Sequence, residues 1–321
     1  MTPASPPKDR GAALLSILMI VAVMSVAALA AVDALGRSIS LARVSSERSQ
    51  TLWAARSAEA IGAVAISRFT DLDDDTLRQA LETGQVITVP IERGVIHATL
   101  ADDSNCFNLN TITGEADDTN HIRFQALLEA QGLFRSDARA LAESLADWID
   151  TDSNPRAFGA EDAYYGTLET PYRAANAQLV NLSELRAIKG FTPEIIETIQ
   201  PLVCARPSTF QSALNIETLR ESEAPLLIAL FSAELSLEQA QSVIRARPLS
   251  GWSTPDAFLS DSAIQSIAVA ARNDSMIALR PTSLRLTARI VSGQTQENLQ
   301  LTYAMDEGGK ANLIQRTTGD L

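Results

Sequence analysis

Residues 12–32 read AALLSILMIVAVMSVAALAAV, a run with no charge, no Gly and no Pro. A helix needs roughly 20 apolar residues to cross a bilayer, so this stretch decides what kind of chain can follow. It starts abruptly, one residue after Lys8-Asp9-Arg10-Gly11. Three readings of it are open. A secretory signal peptide would use Ala28-Leu29-Ala30 as its cleavage site, but the run exceeds the usual apolar core of about 7–15 residues. A simple signal anchor is the second reading. The third is a prepilin-type leader cut at Gly11-Ala12, which leaves the apolar helix on the mature protein. Lys8 and Arg10 ahead of the run favour a cytoplasmic amino terminus.

The sequence R-G-A-A-L-L-S-I-L-M-I-V-A-V-M-S-V from Arg10 to Val26 resembles the start of type II secretion pseudopilins, and most closely that of the minor pseudopilin K family. The resemblance implies removal of residues 1–11 by the prepilin peptidase, N-methylation of Ala12, and a single span in the bacterial inner membrane with a periplasmic body. Most pilins carry Glu at the fifth mature position, where this chain has Ser16. A carboxylate in hydrocarbon is expensive and is kept only for a purpose. Its absence suits a subunit with no neighbour above it, and its lack is also a mark of the K family.

Helical spacing does not stop at the span. Residues 33–69 contain no Pro and two Gly, with apolar positions at Leu35, Ile39, Leu41, Val44, Leu52, Ile61, Val64 and Phe69. One helix from Ala12 to about Phe69 would be roughly 85 Å long; a break near Gly36 or Ser45-Ser46 is the alternative. Asp71 to Asp75 ends the helix, and a short helix is expected over Thr76 to Leu81. Alternation of apolar and polar residues predicts strands over Gln85–Pro90 and Gly94–Leu100, with a turn at Glu92-Arg93-Gly94. Phe107-Asn108-Leu109-Asn110 resembles the end of this sheet in the K family.

From about Ile122 to Ser275 the pattern is helical. Expected helices are Ile122–Ala130, Ser136–Ile149, Ser183–Ile188, Pro193–Leu202, Glu217–Leu230, Leu237–Arg245, Thr254–Leu259 and Ser262–Ala271. Alternation returns at Leu284, Leu286, Ala288 and Ile290, then over Leu299–Met305 and Asn312–Arg316, with turns at Ser292-Gly293 and Gly308-Gly309. The fold class is α+β: a pilin-like long N-terminal helix packed on a small antiparallel sheet, with a large α-helical domain inserted between strands. The segments are a leader (1–11), a membrane part (12–32), a periplasmic helix with the first strands (33–110), the helical insertion (111–275) and the closing strands (276–321).

The densest polar cluster is Asp147-Trp148-Ile149-Asp150-Thr151-Asp152-Ser153-Asn154, followed by Gly159-Ala160-Glu161-Asp162-Ala163-Tyr164-Tyr165. Calcium takes six to eight oxygens from carboxylates, amides and carbonyls, and alternating Asp150, Asp152 and Asn154 in a loop can converge on one centre. An EF-hand is excluded, because its Gly and final Glu are misplaced here. The K family has a similar D-W-x-D-x-D and G-A-E-D-x-Y-Y arrangement and binds calcium in this domain. By that resemblance Asp150, Asp152, Glu161 and Asp162 are the expected ligands. A solvated, helix-capping acidic loop is the alternative.

The net charge of −13 argues against a nucleic acid partner. Two cysteines and two histidines do not make a Cys/His metal site. In a body beyond the membrane Cys106 and Cys204 are expected to pair, closing a loop near 100 residues and stabilising by about 4–5 kcal/mol; two buried thiols are the alternative. Asn181-Leu182-Ser183-Glu184-Leu185-Arg186 recurs as Asn215-Ile216-Glu217-Thr218-Leu219-Arg220, which looks like a pair of degenerate helical hairpins used for packing. Paired carboxylates at Asp147, Asp150 and Glu161 lack a nucleophile motif or a positioned His, so no enzyme is expected, and His97 and His121 are read as structural or solvated. The resemblance implies a tip subunit of the pseudopilus, joined to minor pseudopilins I and J above the rest of the filament and promoting export, with secreted substrates as further partners. A membrane-anchored periplasmic binding or DNA-uptake protein is the alternative.

Overall fold

A computed structural model describes residues 10–318, apart from 71, 85, 92–93, 114–117, 209–210, 269–273, 293–294 and 307–309. Residues 1–57 and 58–321 form two separate units. Helix α1 spans Arg10–Thr70 without interruption. The two breaks the sequence allowed, at Gly36 and at Ser45-Ser46, do not occur. One Gly in a helix costs only about 1 kcal/mol, too little to end so long a run. Gly11 and Ala12 lie at the very start of α1. Leu14–Arg43 is long and apolar enough to cross a membrane, and none of it is buried in the protein.

In the second unit five antiparallel strands form one sheet: β1 (Val86–Ile91), β2 (Gly94–Asp102), β3 (Ser283–Ser292), β4 (Thr295–Met305) and β5 (Ala311–Thr318). They pair in that order. Strand period two places alternate side chains on one face. Registry then aligns Leu100, Leu286 and Leu301 in one row across β2, β3 and β4, and Ala98, Ala288 and Leu299 in the next. All six are buried. The last turns of α1 cover this face. Ile66 is fully buried, and a Cβ on Gly62 would stand 2.7 Å from Leu286 Cδ2, so glycine sets the close approach of helix to sheet. Arg316 Nη1 on β5 pairs with Glu59 Oε1 at 2.6 Å. Pro90 falls on the edge strand β1, where a missing N–H is tolerated.

Between β2 and β3 the chain builds a helical body. Helix α2 (Asp74–Thr83) precedes the sheet, capped by Asp73 and closed by Gly84 at φ 57°. The body holds α3 (Thr119–Ala130), α4 (Arg135–Ile149), α5 (Asp162–Tyr165), α6 (Pro193–Ile199), α7 (Ala224–Leu230), α8 (Leu237–Arg245), α9 (Pro255–Leu259) and α10 (Ser262–Gln265). Every residue of α7 is buried, the mark of a helix apolar all round and placed at the centre of a core. It packs chiefly on α3, which contributes Phe124, Leu127 and Leu128.

Several local expectations are corrected. The segment Glu217–Leu230 is not one helix: only a 3-10 turn at Glu221–Glu223 and α7 form. Pro225 fits the first turn of a helix but not its interior, and Glu217 is held by distant partners. The Asn181 repeat forms a capped 3-10 turn over Leu182–Ala187, whereas the Asn215 copy begins in a two-residue parallel pairing with Ile277–Ala278. The two copies therefore do not share a hairpin structure. Phe107-Asn108 pairs with Val203-Cys204, inside the helical body rather than on the main sheet. Cys106 and Cys204 are joined by a disulfide beside that pairing. The helix expected over Ser262–Ala271 stops at Gln265, with Ser266 as its C-cap; the turns expected at Glu92-Arg93, Gly293 and Gly308-Gly309 lie outside the described residues.

Candidate metal centre

The acidic cluster sits where α4 ends. Asp147, in its last turn, is fully buried. It accepts from the Arg156 backbone N–H at 3.1 Å and forms a close ion pair with the Arg156 guanidinium. Arg156 Nη1 also donates to Asp150 Oδ2 at 2.7 Å. One arginine thus folds the loop 150–156 back over the end of α4. Glu143, one turn earlier, accepts from the Phe158 N–H at 2.7 Å and from Arg139 Nε at 2.7 Å. Lys189 Nζ donates to the carbonyls of Phe158 and Gly159 at 3.1 and 2.9 Å, fixing the loop from the other side. Near it Tyr165 and Tyr172 stack, and Trp148 meets both of them edge to face. Burial pushes the Tyr165 phenol up to about 12.

What this scaffold presents is a set of unsatisfied oxygens. Asp150 Oδ1 and both carboxylate oxygens of Glu161 are buried with no hydrogen-bond partner among the described residues. Asp150, Asp152 and Glu161 each bring one oxygen to within 4.8 Å of the others. Oxygens bound at 2.3–2.6 Å on opposite sides of one calcium ion stand roughly 5 Å apart, so the spacing fits a single hard cation. Glu161 is pushed up to about 7, first by burial and then by Asp147 and Asp150. Burial likewise raises Asp147, against the pull of Arg156. Buried polar atoms are normally paired. An all-oxygen set with three orphans suits a calcium-like ion and not a soft metal.

Three of the four expected ligands therefore come together. Asp162 stands apart from that trio: its Oδ1 accepts from the Ala174 N–H at 2.9 Å, and Oδ2 lies 3.9 Å from Arg173 Nε. A residue the sequence did not single out is Asn176. Its Nδ2 donates to the Asp152 carbonyl at 2.9 Å, its φ is 46°, and its Oδ1 is a further buried orphan. Asn tolerates this left-handed backbone better than most residues, but nothing in the local sequence marks the position. His97 contacts Thr88 across β1 and β2 at 3.2 Å, and His121 lies in α3; neither is part of the acidic group.

A membrane-span helix that continues onto an antiparallel sheet, with a helical body spliced between two of the strands and an oxygen cluster in that body, defines a pilin-like protein of the elaborated, minor kind. The family described as "Type II secretion system (T2SS), protein K" matches residues 105–208 and 214–280. The type II secretion system protein K of Klebsiella pneumoniae is 33% identical over 322 residues, covering 97% of this chain and 97% of that one. The protein K of Pectobacterium carotovorum subsp. carotovorum is 32% identical over 256 residues, covering 77% and 78%. Among solved structures, the GspK-GspI-GspJ complex from the type 2 secretion system of enterotoxigenic Escherichia coli contains a chain that matches with a TM-score of 0.68 at 25% identity, over 87% of this chain and 99% of that one.

The chain belongs to the type II secretion system protein K family. It is a minor pseudopilin acting in type II secretion, anchored in the inner membrane by one apolar helix with its body in the periplasm.

Proposed function

We propose that this subunit caps the tip of the pseudopilus in complex with minor pseudopilins I and J. One observation carries the reading. The whole helical body leaves the sheet after Asp102 and returns at Ser283, two positions at one end of the β2–β3 pair, where Asp102 faces Leu284. Arg280 Nη2 donates to the Leu72 carbonyl at 2.9 Å, so that end is also where α1 stops. A body of this size on that end blocks a further subunit from stacking above. Ser16, in place of the pilin Glu, fits a subunit with nothing above it to engage. The role is assembly rather than catalysis.

We also read Asp150, Asp152 and Glu161 as calcium ligands, with Asn176 in a supporting position on the Asp152 carbonyl. A bound cation would neutralise the buried carboxylates and fix the loop on α4. The leader reading assigns processing to Gly11-Ala12. The deciding experiment is to purify the full chain from cells with and without prepilin peptidase and co-express it with the I and J subunits. The expected result is a start at Ala12 that depends on the peptidase and a ternary complex that forms only with the mature chain. A start after Ala30, or no association with I and J, would overturn the reading.

A further inference from the structure

A second site lies away from the acidic loop, between the helical body and the sheet face that α1 does not cover. Its floor is a cross-strand polar row. Registry places Arg285 of β3 opposite Thr302 of β4, and Thr302 opposite Gln315 of β5. The walls come from the segments around residues 181–186, 200–206 and 218–223. The cleft has a volume of about 1160 Å³, above the roughly 300–1,000 Å³ of ordinary small-molecule pockets, and its lining is not the apolar surface such pockets offer.

Its charge runs against that of the chain. The protein carries −13, yet the lining holds five arginines, at 186, 206, 220, 247 and 285, against the three acids Asp102, Asp103 and Glu223. Three of the arginines are committed to the fold. Arg206 and Arg285 both pair with Asp103, and Arg247 donates to the carbonyls of Ile216, Glu217 and Leu219. Arg186 and Arg220 are exposed at the rim. The lining thus holds two more arginines than acids, and a low-dielectric cleft with an excess of one sign of charge concentrates ligands of the other sign.

We propose that this cleft docks an extended acidic peptide segment of a partner protein. Arg186 and Arg220 are its anionic contacts, because arginine pairs carboxylates in a fixed fork. The half-buried Gln300 amide offers a donor and an acceptor to the peptide backbone, whereas Thr302 is buried and Gln315 already donates to the Val180 carbonyl at 3.3 Å. Strand β5 is the terminal strand of the sheet, so the cleft opens beside an edge suited to an extended chain. This holds whether or not the subunit caps the filament, and it does not involve the carboxylate cluster.

The test uses the full chain in detergent and a fluorescein-labelled oligo-glutamate peptide, read by anisotropy, with the matching oligo-glutamine peptide as control. The glutamate peptide is expected to bind in low salt and to weaken as salt rises. The Arg186→Glu/Arg220→Glu double variant is expected to bind on the order of tenfold more weakly or worse; because Arg220 lies beside Glu223, the single variant Arg186→Glu, weaker in binding with an unchanged melting temperature, separates lost binding from lost fold. Arg135→Glu, on an exposed residue of α4, is expected to bind as the parent does. Absence of glutamate-peptide binding, equal binding of the glutamine peptide, or an unaffected double variant would each overturn the proposal.

Discussion

Gly159 lies so close to the Asp147 carboxylate that a Cβ on residue 159 would stand 1.9 Å from Asp147 Oδ2 and 2.6 Å from its Cγ. The carboxylate cannot move aside, because Arg156 holds it through both backbone and guanidinium. Lys189 fixes the Gly159 carbonyl on the other side. Gly159→Ala is therefore expected to destabilise the body by about 1–3 kcal/mol, as overpacking does. Thermal unfolding of the full chain in detergent should show a lower melting temperature. An unchanged value would mean that the loop is looser than this geometry.

Much of this was legible in the sequence, for reasons that differ from one feature to the next. The apolar run, the alternation at Leu284, Leu286, Ala288 and Ile290, and the Asp150-x-Asp152 spacing are local patterns. Local patterns survive without knowledge of what packs against them. Glu217 shows the limit. Its Oε2 meets Arg78 at 3.3 Å and its Oε1 accepts from the Trp252 N–H at 2.7 Å. Those partners, far away in sequence, override a helical propensity that looked continuous from Glu217 to Leu230. Asn176 was invisible for the same reason: its part in the site depends on a left-handed backbone and on contact with the Asp152 carbonyl, neither of which leaves a sequence mark.

Asp103 ties the sheet to the helical body. Its Oδ1 takes Arg285 Nη2 at 2.7 Å, its Oδ2 takes Arg206 Nη2 at 3.3 Å, and its carbonyl accepts from the same Arg206 nitrogen. Arg206 is buried, and burial draws its guanidinium below the usual range against the pull of Asp103. Asp103→Ala leaves that charge without its partner, a change that typically costs about 3–5 kcal/mol. Asp103→Asn keeps an acceptor and should lose less. Urea unfolding midpoints for the two variants check the order, and equal loss would contradict it.

His121 is expected to make the body sensitive to mild acid. Its Nε2 is buried without a hydrogen-bond partner among the described residues. Burial lowers its pKa below the usual 6.5, outweighing the attraction of Asp118 and Glu143. The unfolded chain then takes up a proton at higher pH than the folded one, so the contribution of this group is level above pH 6.5 and declines as pH falls below it. The difference in unfolding free energy between the parent and His121→Gln, measured from pH 8 to pH 5, should be flat down to about 6.5 and then shift in favour of the variant. A flat difference throughout would place the imidazole in contact with water.

Glu161 gives the opposite slope, and that slope reports on the cation. Its carboxyl is raised to about 7 from 4.5. In the cation-free protein its stabilising contribution is present below pH 4.5 and is lost as pH rises through 7. At pH 8 in chelator, Glu161→Gln should therefore be more stable than the parent, since the variant buries no charge. In calcium the order should reverse, because the parent gains binding energy that the variant lacks. Ligand at a hundred times its dissociation constant stabilises by about 2.7 kcal/mol, well within the reach of a melting curve. Asp152→Ala should erase the calcium-dependent rise in melting temperature while leaving the chelated value close to that of the parent. If the parent melts at the same temperature in calcium and in chelator, the buried oxygens of Asp150 and Glu161 are satisfied by something other than a cation.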